Sequence, residues 1–174
     1  MDAPLVVTLQ LDAAGQARFD ALRAAHFPPG RNHLAAHVTM FHALPGAQLP
    51  AVLEDVRRTA VREPFAVAVP GLRFLGRGVA YELASEELLR VRAELAAAWR
   101  PWLTAQDAQR WKPHVTVQNK VDPALARALH AELSAAPLPP AVTGTGLALW
   151  RYLGGPWEPV VAVPFEAPDP RPTV

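Results

Sequence analysis

The chain of 174 residues contains no cysteine, which excludes disulfides, a thiolate nucleophile and any zinc site built on sulfur. It is also short of net charge. Seventeen Lys and Arg stand against 16 Asp and Glu, so the formal charge is +1 and there is no broad basic surface of the kind that extended DNA or RNA requires. A nucleic-acid ligand, if any, is therefore expected to be gripped at an end or as a small fragment. No apolar run approaches the length of a membrane span, and Met1-Asp2-Ala3-Pro4 lacks the basic-then-apolar opening of a secretory leader. These absences lead to the expectation of a soluble, cytoplasmic monomer with no membrane partner.

What is present is ample apolar material, 51% of residues, enough for one domain or for two lobes sharing a core. The 19 prolines fall mostly between periodic segments, and Ala167-Pro168-Asp169-Pro170-Arg171-Pro172 reads as a disordered end. Leu5 to Leu11 is rich in strand formers. Asp12 then caps a helix with Phe19 and Leu22 on its buried stripe, closed by Pro28-Pro29-Gly30. Residues 34–42 alternate as a strand, with Ala35, His37, Thr39 and Phe41 on one side and Leu34, Ala36, Val38 and Met40 on the other. Leu49, Leu53, Val56 and Ala60 space as a helix, and Phe65 to Leu75 reads as strand.

The second half repeats this order. Val79 to Ala84 is a strand, Ser85 caps a helix striped by Leu88, Val91, Leu95 and Trp99, and residues 113–121 form the next strand. Asp122 and Pro123 open a helix with Leu125, Leu129 and Leu133 on one face. A hairpin follows, from Leu147 to Leu153 and from Trp157 to Phe165 around Gly154-Gly155. The order β-α-β-α-β is thus read twice.

One short string occurs in the middle strand of each set: His37-Val38-Thr39-Met40 and His114-Val115-Thr116-Val117. A strand sends alternate side chains to opposite faces, so imidazole and hydroxyl share one face, roughly 7 Å apart, while the apolar residues enter a core. If the two units pack about an approximate twofold axis, both reactive faces line one cleft. Gln118 and Lys120 share the parity of His114 and Thr116 and extend its polar wall.

Two facing imidazoles suit general acid-base chemistry, because an ordinary pKa of about 6.5 lets one ring be neutral while the other is protonated. For in-line displacement at phosphorus the ring nitrogens flank the attacking and leaving oxygens, roughly 6 to 9 Å apart. Thr39 and Thr116 are placed to donate hydrogen bonds to the non-bridging oxygens. The scheme needs no metal or other cofactor. The His33/His37 spacing does not make a metal pair on a strand, where the two stand about 13 Å apart. His26, His33, His42 and His130 lie outside this scheme.

The paired motifs, with the segments His33 to His42 and Trp111 to Val117, resemble the two-histidine phosphoesterase superfamily and within it the bacterial 2'-5' RNA ligase-like branch. The likeness runs over nearly the whole chain, including a closing strand like Leu147 to Tyr152. It implies a bilobal α+β fold, with antiparallel sheets around a central cleft and helices outside. That corresponds to one domain over residues 1–166, with lobes of about 1–75 and 76–166 that exchange strands, and a disordered tail at 167–174. It also implies metal-independent opening of 2',3'-cyclic phosphates to 2'-phosphates at an RNA 3' end or on a small nucleotide, with reversible 2'-5' joining. His37, Thr39, His114 and Thr116 are the catalytic positions in that reading.

Arg31, Lys112, Lys120 and Arg151 are candidates for holding the phosphate or a terminal nucleotide, against the ordinary role of surface solubility. Phe41, Trp111, Trp150 and Tyr152 are candidates for stacking on a base, against the ordinary role of core aromatics. Gly76-x-Gly78 is a turn and not a dinucleotide fingerprint, since Tyr81 stands where the third glycine belongs. Two rival functions use the same groove. One is a non-catalytic RNA-end-binding or scaffold protein; the other is a phosphodiesterase for 2'-5' linked oligonucleotides or another cyclic phosphate metabolite.

Overall fold

The structure, a computed structural model, describes residues 2–170. Within them lie β1 (Leu5–Leu11), α1 (Ala13–His26), β2 (Val38–Leu44), α2 (Leu49–Thr59), β3 (Phe65–Phe74) and β4 (Val79–Ala84). The chain continues through α3 (Glu86–Ala98), β5 (His114–Gln118), α4 (Pro123–Ala135), β6 (Val142–Tyr152) and β7 (Trp157–Pro164). The doubled β-α-β-α-β order is there, with β7 added as the return arm of a hairpin. Of the tail expected to be disordered, 167–170 carry no helix or strand and 171–174 lie outside the described residues. No helix among the described residues is long and apolar enough to cross a membrane.

The strands form one open antiparallel sheet in the order β2-β1-β6-β3-β4-β5, with β7 also paired to β6. One edge of β6 is taken by β1. The other is divided between β3, at Val142 to Gly144, and β7, at Gly146 to Tyr152. The sheet is continuous there through only three residue pairs, Phe65–Gly144, Ala66–Thr143 and Val67–Val142. β2 and β5 consequently stand at the two ends of the order, and each carries one histidine motif.

Local chemistry explains the helix positions. The Asp12 carboxylate accepts from Gly15 N at 3.4 Å and from Thr143 N at 2.8 Å, so it starts α1 and ties it to β6. Ser85 Oγ accepts from Leu88 N at 3.1 Å and starts α3. The α3 stripe of Leu88, Val91, Leu95 and Trp99 is fully buried, each side chain contributing about 1.5–3 kcal/mol. In α2 the buried residues are Val52, Val56 and Thr59, with Leu53 half-buried. In α4 the stripe is Ala126, Leu129 and Leu133, and Leu125 is 59% exposed, one position off the expected face.

The strands depart from the expected ranges for identifiable reasons. The β2 ladder begins at Val38, opposite Leu9, because Ala36 before it is held by α1 instead, its N–H donating to Asp20 Oδ1 at 2.7 Å and its carbonyl accepting from Gln16 Nε2 at 2.8 Å. Residues 34–37 precede it. Pairing then jumps from Thr8–Thr39 to Val7–Phe41, a bulge at Met40 that breaks the alternation. Met40 and Phe41 are both buried, while Thr39 and His42 are both half-exposed. In β5 the pairs Ala80–Thr116 and Val79–Gln118 enclose a similar bulge at Val117, which turns Gln118 into the core. The strand ends there, and Lys120 sits in a turn with φ 63°.

Candidate active site

His37 immediately precedes β2 and His114 opens β5, and both rings are anchored in the same way. The His37 Nδ1–H donates to the Ala35 carbonyl at 2.8 Å, and the His114 Nδ1–H to the Lys112 carbonyl at 3.0 Å. A carbonyl only accepts, so each neutral ring carries its proton on Nδ1 and leaves Nε2 as the acceptor.

Burial is the main reason that both rings titrate below the ordinary imidazole value. For His37 the bond to Ala35 opposes this, while positive charge on Arg23, His114 and His42 adds to it. For His114 the Lys112 carbonyl opposes, Arg73 and His42 push further down, and Glu82 pulls back up. The Arg73 Nη1 lies 3.4 Å from His114 Nδ1; both atoms carry N–H donors, so this is a like-charge approach when the ring is protonated.

Side chains, and not a β-ladder, hold the two motif strands together. Buried Arg23 of α1 donates from Nε to Asn32 Oδ1 and to the Leu34 carbonyl, at 2.8 and 3.0 Å, and from Nη1 to the Thr116 carbonyl at 3.0 Å. It thereby joins the loop before His37 to the strand of Thr116. Trp111 Nε1 donates to the Thr39 carbonyl at 3.1 Å. Buried Arg92 of α3 donates to the carbonyls of Met40 and Asp107, at 2.7 and 2.6 Å.

The other candidates divide. Trp111 and Lys112 line a cavity of about 690 Å³ on the His114 side, with Arg73, Glu82 and Arg110. Trp150 lines a second cavity of about 520 Å³ on the His37 side, with Thr8, Gln10, Gln16 and Trp157. Its Nε1 donates to Thr8 Oγ1 at 2.9 Å, and Trp157 lies 4.7 Å from His37 between ring centres. Phe41 is carried out of the groove by the bulge at Met40; fully buried, its ring packs 4.8 Å from Trp99 and 3.8 Å beneath the Arg92 guanidinium. Arg31 and Lys120 are exposed and line neither cavity. Arg151 faces Glu158 at 3.5 Å, and Tyr152 is exposed at the hairpin end. Among the described residues no group of three or more His, Cys, Asp or Glu is arranged to hold a metal.

A family model described as the 2'-5' RNA ligase superfamily matches residues 11–156, a span containing both motifs and both anchoring carbonyls. The chain belongs to this superfamily. Membership makes it an enzyme of the two-histidine phosphoesterase kind. No individually curated protein matches it. Among solved structures it is similar to TT0787 of Thermus thermophilus, at 18% identity and TM-score 0.64, covering 94% of this chain and 98% of that one. It is similar to a phosphoesterase at 18% and 0.62, covering 95% and 99%. It is also similar to E. coli LigT complexed with 3'-AMP, at 17% and 0.60, covering 95% and 99%. At such identities the likeness is one of fold.

Several side chains of this superfamily member escaped the sequence reading. Arg23 and Arg92 had a legible signal, since each stands four residues after a buried apolar residue, Phe19 and Leu88, on the inward stripe of its helix. An arginine there needs buried acceptors. Arg73, Trp157 and Asp107 gave no such sign, because their partners are distant in sequence.

Proposed function

We propose that this chain opens 2',3'-cyclic phosphates, on an RNA 3' end or a small nucleotide, to 2'-phosphates without a metal. The observation that carries this reading is the matched pair of imidazoles, both with Nδ1–H fixed by the carbonyl two residues earlier and both with Nε2 left free. One neutral ring takes a proton from water as the water oxygen bonds to phosphorus. The other, protonated, gives its proton to the departing 3' oxygen as the P–O3' bond breaks. Thr39 and Thr116 donate to the non-bridging oxygens. A 5'-hydroxyl in place of water gives a 2'-5' linkage by the same bond changes. The cavity walled by Trp150 and Trp157 suits a base, and the one holding Arg73, Arg110 and Lys112 suits further phosphate. That LigT was crystallised with 3'-AMP supports a nucleotide ligand.

The test is turnover of 2',3'-cyclic mononucleotides, 2'-5' dinucleotides and cyclic-phosphate RNA ends in the presence of EDTA. Cyclic phosphates are expected to open at an undiminished rate. His37→Ala and His114→Ala are each expected to lower kcat by about 10² to 10⁴-fold, and Thr39→Ala or Thr116→Ala by less. Full activity in His114→Ala refutes the mechanism, and tight RNA binding with no turnover points to a scaffold.

A further inference from the structure

We infer that His42, held by Asp107, is a third functional imidazole of the cleft, a positioning residue that supplies positive charge to the anion bound between His37 and His114. This rests on the proposed phosphoesterase site and adds a residue to it.

The geometry begins with the strand. Because the bulge at Met40 buries two consecutive side chains, His42 emerges on the side of Thr39 and not on the core side of Phe41. A second register shift between the Val7–Phe41 and Leu5–Leu44 pairs leaves the main-chain N–H groups of His42 and Ala43 without regular ladder partners. Asp107, which is 2% exposed, takes them both. Its carboxylate accepts from His42 N at 3.0 and 2.9 Å and from Ala43 N at 3.1 Å.

The same carboxylate accepts from His42 Nδ1–H at 2.8 Å, so the ring is fixed in one orientation with Nε2 on its far, half-exposed side. Asp107 is itself clamped, its N–H donating to Thr104 Oγ1 and its carbonyl accepting from Arg92. Asp107 therefore lies well placed to stay ionised. Although burial pulls its pKa upward, the bonds from His42 and Ala43 hold it below the ordinary carboxylate value.

A structural cover for a bulged edge would need only the two main-chain bonds. Orienting the imidazole as well gives a dipole with its negative end buried and its positive end, when protonated, toward the cleft. The charged groups around it are Asp107 on the loop, Arg92 on α3, His37 before β2 and His114 on β5. Arg23 on α1 faces His37, and Arg73 on β3 and Glu82 on β4 face His114. Charge on His42 is among the causes that lower both His37 and His114, in keeping with the side of the strand on which the bulge sets its ring.

The experiment is NMR titration of the His37 and His114 rings in the wild-type chain and in His42→Gln, with sulfate affinity measured at about pH 5.5 and about pH 8. Sulfate keeps its double charge across that range. Loss of His42 is expected to raise both ring midpoints and to weaken sulfate roughly tenfold at the lower pH, with a smaller loss at the higher. Unmoved midpoints, or an equal loss at both pH values, overturn the inference. Should His42→Gln misfold, the wild-type His42 ring is followed with and without sulfate: its midpoint is expected to rise, and no movement overturns the inference. If the wild-type chain opens no cyclic phosphate while these titrations behave as expected, the functional reading fails and the anion site stands. If it turns over and the midpoints stay put, the reverse holds.

Discussion

Replacing Arg23 by Met separates the two roles of that side chain. Arg23 is 5% exposed and makes three hydrogen bonds, to Asn32, to the Leu34 carbonyl and to the Thr116 carbonyl, while its guanidinium lies 4.0 Å over the Phe27 ring. Methionine fills the same stem volume and keeps contact with Phe27, so the change removes mainly the polar bonds. Hydrogen bonds involving a charged group contribute about 1.5–3 kcal/mol each. Against that, burial disfavours the guanidinium charge, as its lowered pKa shows, and removing a buried ion returns part of the desolvation cost. The expected net loss is about 2–3 kcal/mol in urea unfolding. For a chain of this size that is a fall of about 4–12 °C in Tm. The same substitution removes a positive charge that is among the causes depressing His37, whereas the charges that chiefly act on His114 are Arg73, His42 and Glu82. The His37 ring should therefore titrate at higher pH while His114 keeps its midpoint. A variant with wild-type stability, or with both rings moved together, would refute the view that Arg23 joins the two motifs and acts on one.

Two further outcomes follow. The pH profile of kcat/KM for cyclic phosphate opening is expected to be a bell centred below the ordinary imidazole value of about 6.5, since it needs one ring protonated and one neutral and both free-enzyme pKa values are lowered. A profile centred above neutrality contradicts the site's electrostatics. Gly78→Ala would place a Cβ 2.0 Å from the Gln118 carbonyl oxygen and 2.6 Å from Asn119 Cα, both main-chain atoms that cannot swing aside. A loss of at least about 2 kcal/mol by chemical denaturation is expected, with β5 displaced; an unaffected variant shows that β4 and β5 part there freely.

Much of the architecture was legible because periodicity records burial. Leu88, Val91, Leu95 and Trp99 read as one stripe and are all fully enclosed, and Asp12 and Ser85 cap the helices they precede. What periodicity cannot show is an inserted residue. A strand read by parity assumes an unbroken ladder, and one bulge in β2 and one in β5 sent Phe41 and Gln118 to the opposite face from the one parity assigned. The bulge in β2 also hid His42, which counts as off-parity with His37 and yet emerges, half-exposed, on the side of Thr39. Leu125 and Ala126 show a smaller failure: the larger apolar residue looked like the buried one, but the helix packs closely enough on β3 and β4 that alanine faces inward. Asp107 was beyond reach, because nothing local distinguishes an acidic loop residue whose partners lie 65 and 64 positions away.

The two motif strands stand at opposite margins of the sheet order, and those margins are bridged by Arg23 and Trp111. The space between those margins is thus spanned by side chains and by no ladder. Because few bonds set the width of that opening, substituting tether side chains is a route to a wider or narrower substrate range that leaves every ladder intact.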